Sequence, residues 1–191
     1  MSTTNIMIVG VGGQGTLLAS KLLGSVLLNK GYDVKVSEVH GMSQRGGSVV
    51  TYVRFGEKVY SPVIDKGEAD VIVSFELLEA ARWLEYLKPG GKIIVNTRKT
   101  DPMPVITGAM QYPENLVEKM INAGAEVDAH DFLEVANEAG SPKAVNIALM
   151  GRLSKYFPEI SYDEWQTALE SNVPAKLIDI NKKAFDLGCN L

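Results

Sequence analysis

Two glycine-rich stretches carry the residue types from which a binding site could be built. Gly10-Val11-Gly12-Gly13-Gln14-Gly15 fits the pattern G-x-G-x-x-G. Glycines at that spacing let a strand turn sharply into a helix, let the backbone approach a phosphate and let helix and strand pack closely. Gly10 then serves the turn, Gly12 the approach and Gly15 the packing. The helix that follows offers unpaired N–H groups and a positive dipole end to an anion. The second stretch, Glu38 to Ser48, reads EVHGMSQRGGS. Glu38 lies about 20 residues beyond Gly15, where a dinucleotide-binding chain holds an acid for the ribose. Arg45, beside Gln44, could clamp a phosphate or carboxylate with two parallel hydrogen bonds. Gly46 and Gly47 would allow positive φ and close backbone approach. An ion pair between Arg45 and Glu38 is the plainer alternative.

These residues leave several readings open. The glycine turn could be a bare strand-to-helix turn, a nicotinamide or flavin dinucleotide site, or a contact for another anion or a partner. No lysine–histidine or serine–tyrosine–lysine set supports hydride transfer. The chain has two histidines, His40 and His130, each read as a local hydrogen-bonding residue. No thiamine-diphosphate G-D-G…N pattern, metal-ligand cluster or nucleophile elbow is present. One cysteine, Cys189, cannot make an internal disulfide, a zinc site or an iron–sulfur cluster. The sequence thus describes a binding edge without a self-contained catalytic set.

Composition narrows the class. The 191 residues are 46% hydrophobic and 22% charged, with a formal net charge of -4. That is globular composition with no electrostatic case for nucleic acid or an anionic membrane. No apolar run approaches the ~20 residues needed to span a bilayer. A strand-like run begins at once without a basic leader, so the expectation is a cytoplasmic protein.

The elements that must position the glycine stretches follow from hydrophobic pattern and turn residues. Ile6–Val9 reads as a buried strand, residues 14–30 as a helix ended by Gly31, and Val34–Val36 as the start of a second strand. Val49–Phe55 and Lys58–Tyr60 read as a β-hairpin about Gly56-Glu57. Val71–Ser74, a helix over 76–87 stopped by Pro89-Gly90-Gly91, and the strand 92–95 form one strand–helix–strand unit. Its right-handed crossover would make the strands parallel. Pro102 and Pro104 mark an irregular piece. A helix over 115–123, a strand over 126–129 and helices over 131–138 and 145–157 follow. Ser161-Tyr-Asp-Glu164 is a capping-box pattern, opening a helical end interrupted near Pro174. The expected fold is α/β, a doubly wound and mostly parallel Rossmann-like sheet with an inserted hairpin and a helical C-terminal part. One domain spans 1–191, with a sheet core to about residue 140 and a helical appendage from about 141. In such a sheet, ligands sit beyond the carboxyl ends of the strands. The segments 10–15, 37–47, 74–76, 96–98 and 129–131 should share that edge.

Three segments together also carry a family signature: GVGGQGTLLASKLLG, SEVHGMSQRGGSVVTYVRFG and PKAVNIALMGRLSKYFPEIS…LIDINKKAFDLG. They resemble the gamma domain of 2-oxoacid:ferredoxin oxidoreductases, in order and over nearly the whole chain. Within that family the chain is most similar to the free-standing small (beta) subunits that serve indolepyruvate. The resemblance implies oxidative decarboxylation of an aryl-2-oxoacid to its acyl-CoA, with electrons passed to ferredoxin. It implies a large (alpha) partner subunit that holds thiamine diphosphate and [4Fe–4S] clusters, with no cofactor held by this chain alone. It implies a place for this domain near the path of coenzyme A. Gly10, Gly12, Gly13, Gln14, Gly15, Glu38, Gln44, Arg45, Gly46 and Gly47 are the candidate binding residues. A gamma subunit of a pyruvate or 2-oxoglutarate enzyme and a stand-alone NAD(P)-binding protein are the alternatives. The stretch 100–122 carries no signature.

Overall fold

The structure, a computed structural model, describes residues 3–41 and 46–191. Six strands form one sheet: β1 (Thr4–Val11), β2 (Asp33–His40), β3 (Ser48–Gly56), β4 (Ala69–Ser74), β5 (Leu87–Asn96) and β6 (Glu126–His130), in the order β2-β3-β1-β4-β5-β6. β1, β4, β5 and β6 run parallel, whereas β3 is antiparallel to both β1 and β2. The helices are α1 (Thr16–Asn29), α2 (Leu77–Arg82), α3 (Met103–Ile106), α4 (Leu116–Asn122), α5 (Phe132–Ala139), α6 (Val145–Ser154), α7 (Tyr162–Asn172) and α8 (Ile178–Cys189).

The central strands are apolar on both faces because helices cover both. Ile6, Met7, Ile8 and Val9 of β1 are all fully buried. Ile6 and Ile8 join one core with α1, α5, α6, α7 and α8, while Met7 and Val9 join the other with α2 and α4. Each such side chain contributes roughly 1.5–3 kcal/mol by leaving water, so this alternation fixes the register of the whole sheet. α6 is buried from Asn146 to Gly151, which explains its lack of a polar face. Helices α6, α7 and α8 belong to the same buried cluster as β1, β3 and β4.

The hairpin is present but lies elsewhere than the pattern suggested. Its strands are β2 and β3, with His40 opposite Val49 and Asp33 opposite Gly56. Residues 58–60 form no strand. The misplacement has a plain origin. Gly56-Glu57 looks like a turn, but Asp33 reaches across to accept the Val59 N–H at 2.9 Å, so the chain beyond β3 is tied to β2 by a side chain and not by a ladder. Pro89-Gly90-Gly91 does not stop a helix either, since those residues lie inside β5. α2 already ends at Arg82, and one 3-10 turn (Leu84–Tyr86) leads into the strand. The capping box at Ser161 is formed, with Ser161 and Glu164 each satisfying the other's backbone N–H.

Candidate functional site

The carboxyl ends of β1, β2, β4, β5 and β6 all reach one edge, since β2 runs parallel to β1 although β3 stands between them. The two glycine stretches meet there. The Gly12 N–H donates to the Gly47 carbonyl at 2.9 Å, tying the hairpin base to the glycine turn.

The turn itself is built by its own side chain. Gln14 folds back so that its Oε1 accepts the Val11 N–H at 2.7 Å. Gly13 and Gly15 have φ of 97° and 92°, a region costly for other residues. A β-carbon on Gly10 would lie 2.8 Å from Gln14 Oε1 and 2.9 Å from Phe75 Cβ, and one on Gly15 would lie 2.7 Å from Asn146 Nδ2. Gly10 and Gly15 are therefore required for packing, and Gln14 for holding the turn. α1 has no side-chain cap and no acidic residue in its first turn. Its leading N–H groups and dipole therefore remain available to an anion.

Two clefts flank this turn. The larger, ≈ 480 Å³, is bounded by Gly13, Gln14 and Gly15, by Phe75 past β4, by Asn96 and Arg98 past β5, and by Lys143 before α6. Asn96 splices three elements together there: its Nδ2 donates to the Phe75 carbonyl at 3.3 Å and its Oδ1 accepts the Phe132 N–H at 3.1 Å. Arg98 and Lys143 are exposed, and among the described residues neither enters an ion pair. A glycine turn, an uncapped helix start and two cations without ion-pair partners among the described residues gather on one cleft, a combination suited to an anion. Arg98 and Lys143 were not singled out by the sequence reading: Arg98 only closes the edge segment 96–98, and Lys143 lies inside the third signature segment without a role of its own. The only signal for Arg98 was its position two residues past a strand.

The second cleft, ≈ 430 Å³, lies between the turn and the hairpin and is lined by Gly12, Gly13, Gly15, Thr16, Leu17, Glu38, His40 and Val49. Glu38 thus shares a wall with the glycine turn. However, β3 separates its strand from β1, so it sits one strand, roughly 4.8 Å, farther out than direct pairing would place it. Its Oε2 accepts the Thr51 hydroxyl at 3.3 Å. Gln44 and Arg45 lie outside the described residues, and with them the suggested Arg45–Glu38 pair. Gly46, with φ of 79°, lines a smaller hollow together with Glu76, Arg82 and Ile106.

The sequence reading placed residue 76 at this edge without a role, and the structure makes it a buried carboxylate in that hollow. Glu76 is 1% exposed. It caps α2 by accepting the Glu79 N–H at 2.9 Å, and it also accepts the Thr100 N–H at 3.0 Å and the Tyr112 hydroxyl at 2.6 Å. Burial and this hydrogen bond push the Tyr112 hydroxyl above the usual tyrosine range. Glu79, also buried, accepts from Ser48 Oγ and from Arg82 Nη1. Both carboxylates accept hydrogen bonds on both oxygens and serve as ties.

His130, the other histidine, belongs to a network on β6. Asp128 accepts from Arg152 Nε at 2.6 Å and Tyr156 Oη at 2.7 Å, and lies 2.7 Å from His130 Nε2. Burial raises the Asp128 pKa, but the hydrogen bonds from Arg152 and Tyr156 outweigh it and hold the carboxyl below its ordinary value. Burial and Asp128 push the Tyr156 hydroxyl up to about 12. Arg152 Nη1 also donates to the Leu191 carbonyl at 2.6 Å, anchoring the last residue. Among the described residues, no group of three or more His, Cys, Asp or Glu side chains is placed to hold a metal ion, and no helix is long and apolar enough to cross a membrane.

Fold and edge define an open α/β domain with a cleft at the carboxyl ends of its strands. Known proteins share the fold. The chain is 46% identical to the indolepyruvate oxidoreductase subunit IorB of Thermococcus kodakarensis, over 98% of this chain and 95% of that one. It superposes on the pyruvate oxidoreductase subunit PORC of Thermotoga maritima with a TM-score of 0.75 and 22% identity, covering 100% of this chain and 97% of the other. It also superposes on the 2-oxoglutarate:ferredoxin oxidoreductase of Magnetococcus marinus with a TM-score of 0.76 and 21% identity, covering 100% of this chain but 31% of that one. Residues 5–191 match the pyruvate ferredoxin/flavodoxin oxidoreductase family, and the chain belongs to it.

Proposed function

We propose that the chain is the small subunit of an indolepyruvate:ferredoxin oxidoreductase. The near full-length identity to a subunit of that name carries the reading, and the geometry agrees with it. The reaction joins an aryl-2-oxoacid and coenzyme A to give the acyl-CoA and carbon dioxide, while two electrons pass to ferredoxin. Thiamine diphosphate and [4Fe–4S] clusters belong to the large partner subunit in this reading, because one cysteine cannot supply the four thiolates a cluster needs. Ferredoxin is met through the complex, in the cytoplasm.

In this reading the chain contributes an anion site and a wall. The turn at Gly12, Gly13 and Gly15, with Arg98 and Lys143, would hold phosphate groups of coenzyme A. Gln14 keeps the turn in shape, Phe75 supplies an apolar face, and Arg45 with Gln44 is a candidate from the adjoining hairpin. The Magnetococcus enzyme was solved with coenzyme A and succinyl-CoA bound, which supports a thioester-forming reading for a chain of this fold. A pyruvate or 2-oxoglutarate enzyme is the near alternative, separated by substrate profiling of the purified complex. A stand-alone NAD(P)-binding role is weakened by β3, which sets Glu38 away from the turn. Co-expression with the large subunit tests the proposal. Indolepyruvate- and CoA-dependent dye reduction should require both chains. Submicromolar binding of NAD(H) or NADP(H) by this chain alone would favour the dehydrogenase reading.

A further inference from the structure

The segment between β5 and α4 has no evident role in the core, yet it is pinned at both ends. Thr100 and Tyr112 bracket it, and both donate to the same buried carboxylate oxygen, Glu76 Oε1, at 3.0 and 2.6 Å. Between them lies the short helix α3. The Thr107 N–H donates to the Met103 carbonyl at 2.9 Å, and Gly108, at φ 76°, reverses the chain so that the Met110 N–H meets the Pro104 carbonyl at 3.0 Å. The Met110 backbone is thereby returned to the helix that carries Met103 and Ile106, and the three residues are 66%, 65% and 64% exposed. Met103 and Ile106 share a hollow with Gly46 of the hairpin. The patch thus stands on the same sheet edge as the glycine turn.

An isolated exposed apolar residue needs no explanation, but three on one short segment pinned at both ends do. Methionine and isoleucine held on a braced loop suit a surface that another protein covers. The identity of that protein follows from the subunit reading: the Thermococcus protein, 95% of which this chain covers, is named as one subunit of an oxidoreductase. In the Magnetococcus enzyme this fold makes up 31% of one polypeptide, so in that protein the remaining two thirds are tethered to it. In a subunit of the IorB kind those parts are reached by association.

We propose that residues 101–111, presenting Met103, Ile106 and Met110, form a docking surface for the large subunit. The inference rests on the subunit reading above and adds the face by which the chain attaches. The occupant packs its own apolar side chains over the three residues, and Glu76 keeps the loop in its docking shape before contact.

The test uses the purified large subunit and this chain, with affinity measured by calorimetry. The double variant Met103→Asp, Ile106→Asp should weaken association at least ~10-fold, as expected for charges placed in a buried interface centre. The exposed apolar residues Leu28 and Ile121, changed to Asp, should leave affinity within about twofold, since surface changes away from the interface have small effects. Circular dichroism and melting of each free variant should match the parent. Unchanged affinity of the double variant would overturn the proposal, as would equal losses from the Leu28 and Ile121 variants. A parent chain that self-associates, and a double variant that loses only that self-association, would assign the patch to a second copy and overturn it. No association by the parent chain would defeat the subunit reading itself, a result distinct from the others.

Discussion

At the scale of single residues, charge placement separates binding from bracing. Arg98 and Lys143 face the cleft beside Gly13–Gly15 without ion-pair partners among the described residues. Changing both to alanine in the assembled complex should raise KM for coenzyme A about 10-fold or more, equivalent to losing about one charge-assisted hydrogen bond. The kcat at saturating coenzyme A should change little, because the lost contacts bind substrate and transition state alike. Steady-state kinetics against coenzyme A concentration checks this. Asp128 is a brace. Its folded-state pKa lies below the ordinary 3.8, so it contributes stability above that pH and loses it as pH falls through the folded value. Asp128→Asn should cost about 1–3 kcal/mol at pH 7. The gap from the parent should narrow as pH drops below about 4, as read by urea unfolding across pH. A gap independent of pH would mean that the carboxylate charge is not what matters.

At the scale of elements, the C-terminal helices show how a close crossing is made. A β-carbon on Gly151 of α6 would overlap the Phe185 carbonyl on α8, and one on Gly188 would overlap the Ala148 carbonyl. The two helices touch backbone to backbone at both points. Gly151→Ala should therefore destabilise the fold by about 3 kcal/mol or more, the scale of overpacking a rigid core. Thermal unfolding measures it, and a melt unchanged within about 1 °C would refute the crossing. Neither glycine was marked in the sequence, because a helical glycine gives no sign of which neighbour approaches it. The strand-to-helix turn was legible from the G-x-G-x-x-G spacing, although positive φ falls at Gly13 and Gly15 and Gly10, read as the turn residue, is needed for its close packing on Gln14 and Phe75. The hairpin was legible as a departure from strand–helix alternation but not in its position, because Gly56-Glu57 mimics a turn that a side chain, Asp33, in fact organises.

At the scale of the whole molecule, the strand ends expected at one edge are found there, because alternating apolar residues in β1, β4 and β5 leave little freedom in direction or register. Gly10, Gly12, Gly13, Gln14 and Gly15 gather with Gly47 at that edge for the same reason. The segments 74–76 and 96–98 were expected at that edge, but the roles of Glu76, Arg98, Lys143 and the Met103–Met110 patch were not legible. Their significance comes from neighbours distant in sequence: Tyr112 for Glu76, and the glycine turn for the two cations. The edge thus presents an anion cleft and a braced apolar surface side by side, with no catalytic set among the described residues. The proposed role for such a domain is to complete a site on another chain. The most direct test is indolepyruvate-dependent ferredoxin reduction by the large subunit with and without this chain, at saturating coenzyme A. Full turnover only when both are present is the expected result. Equal turnover by the large subunit alone would contradict the account.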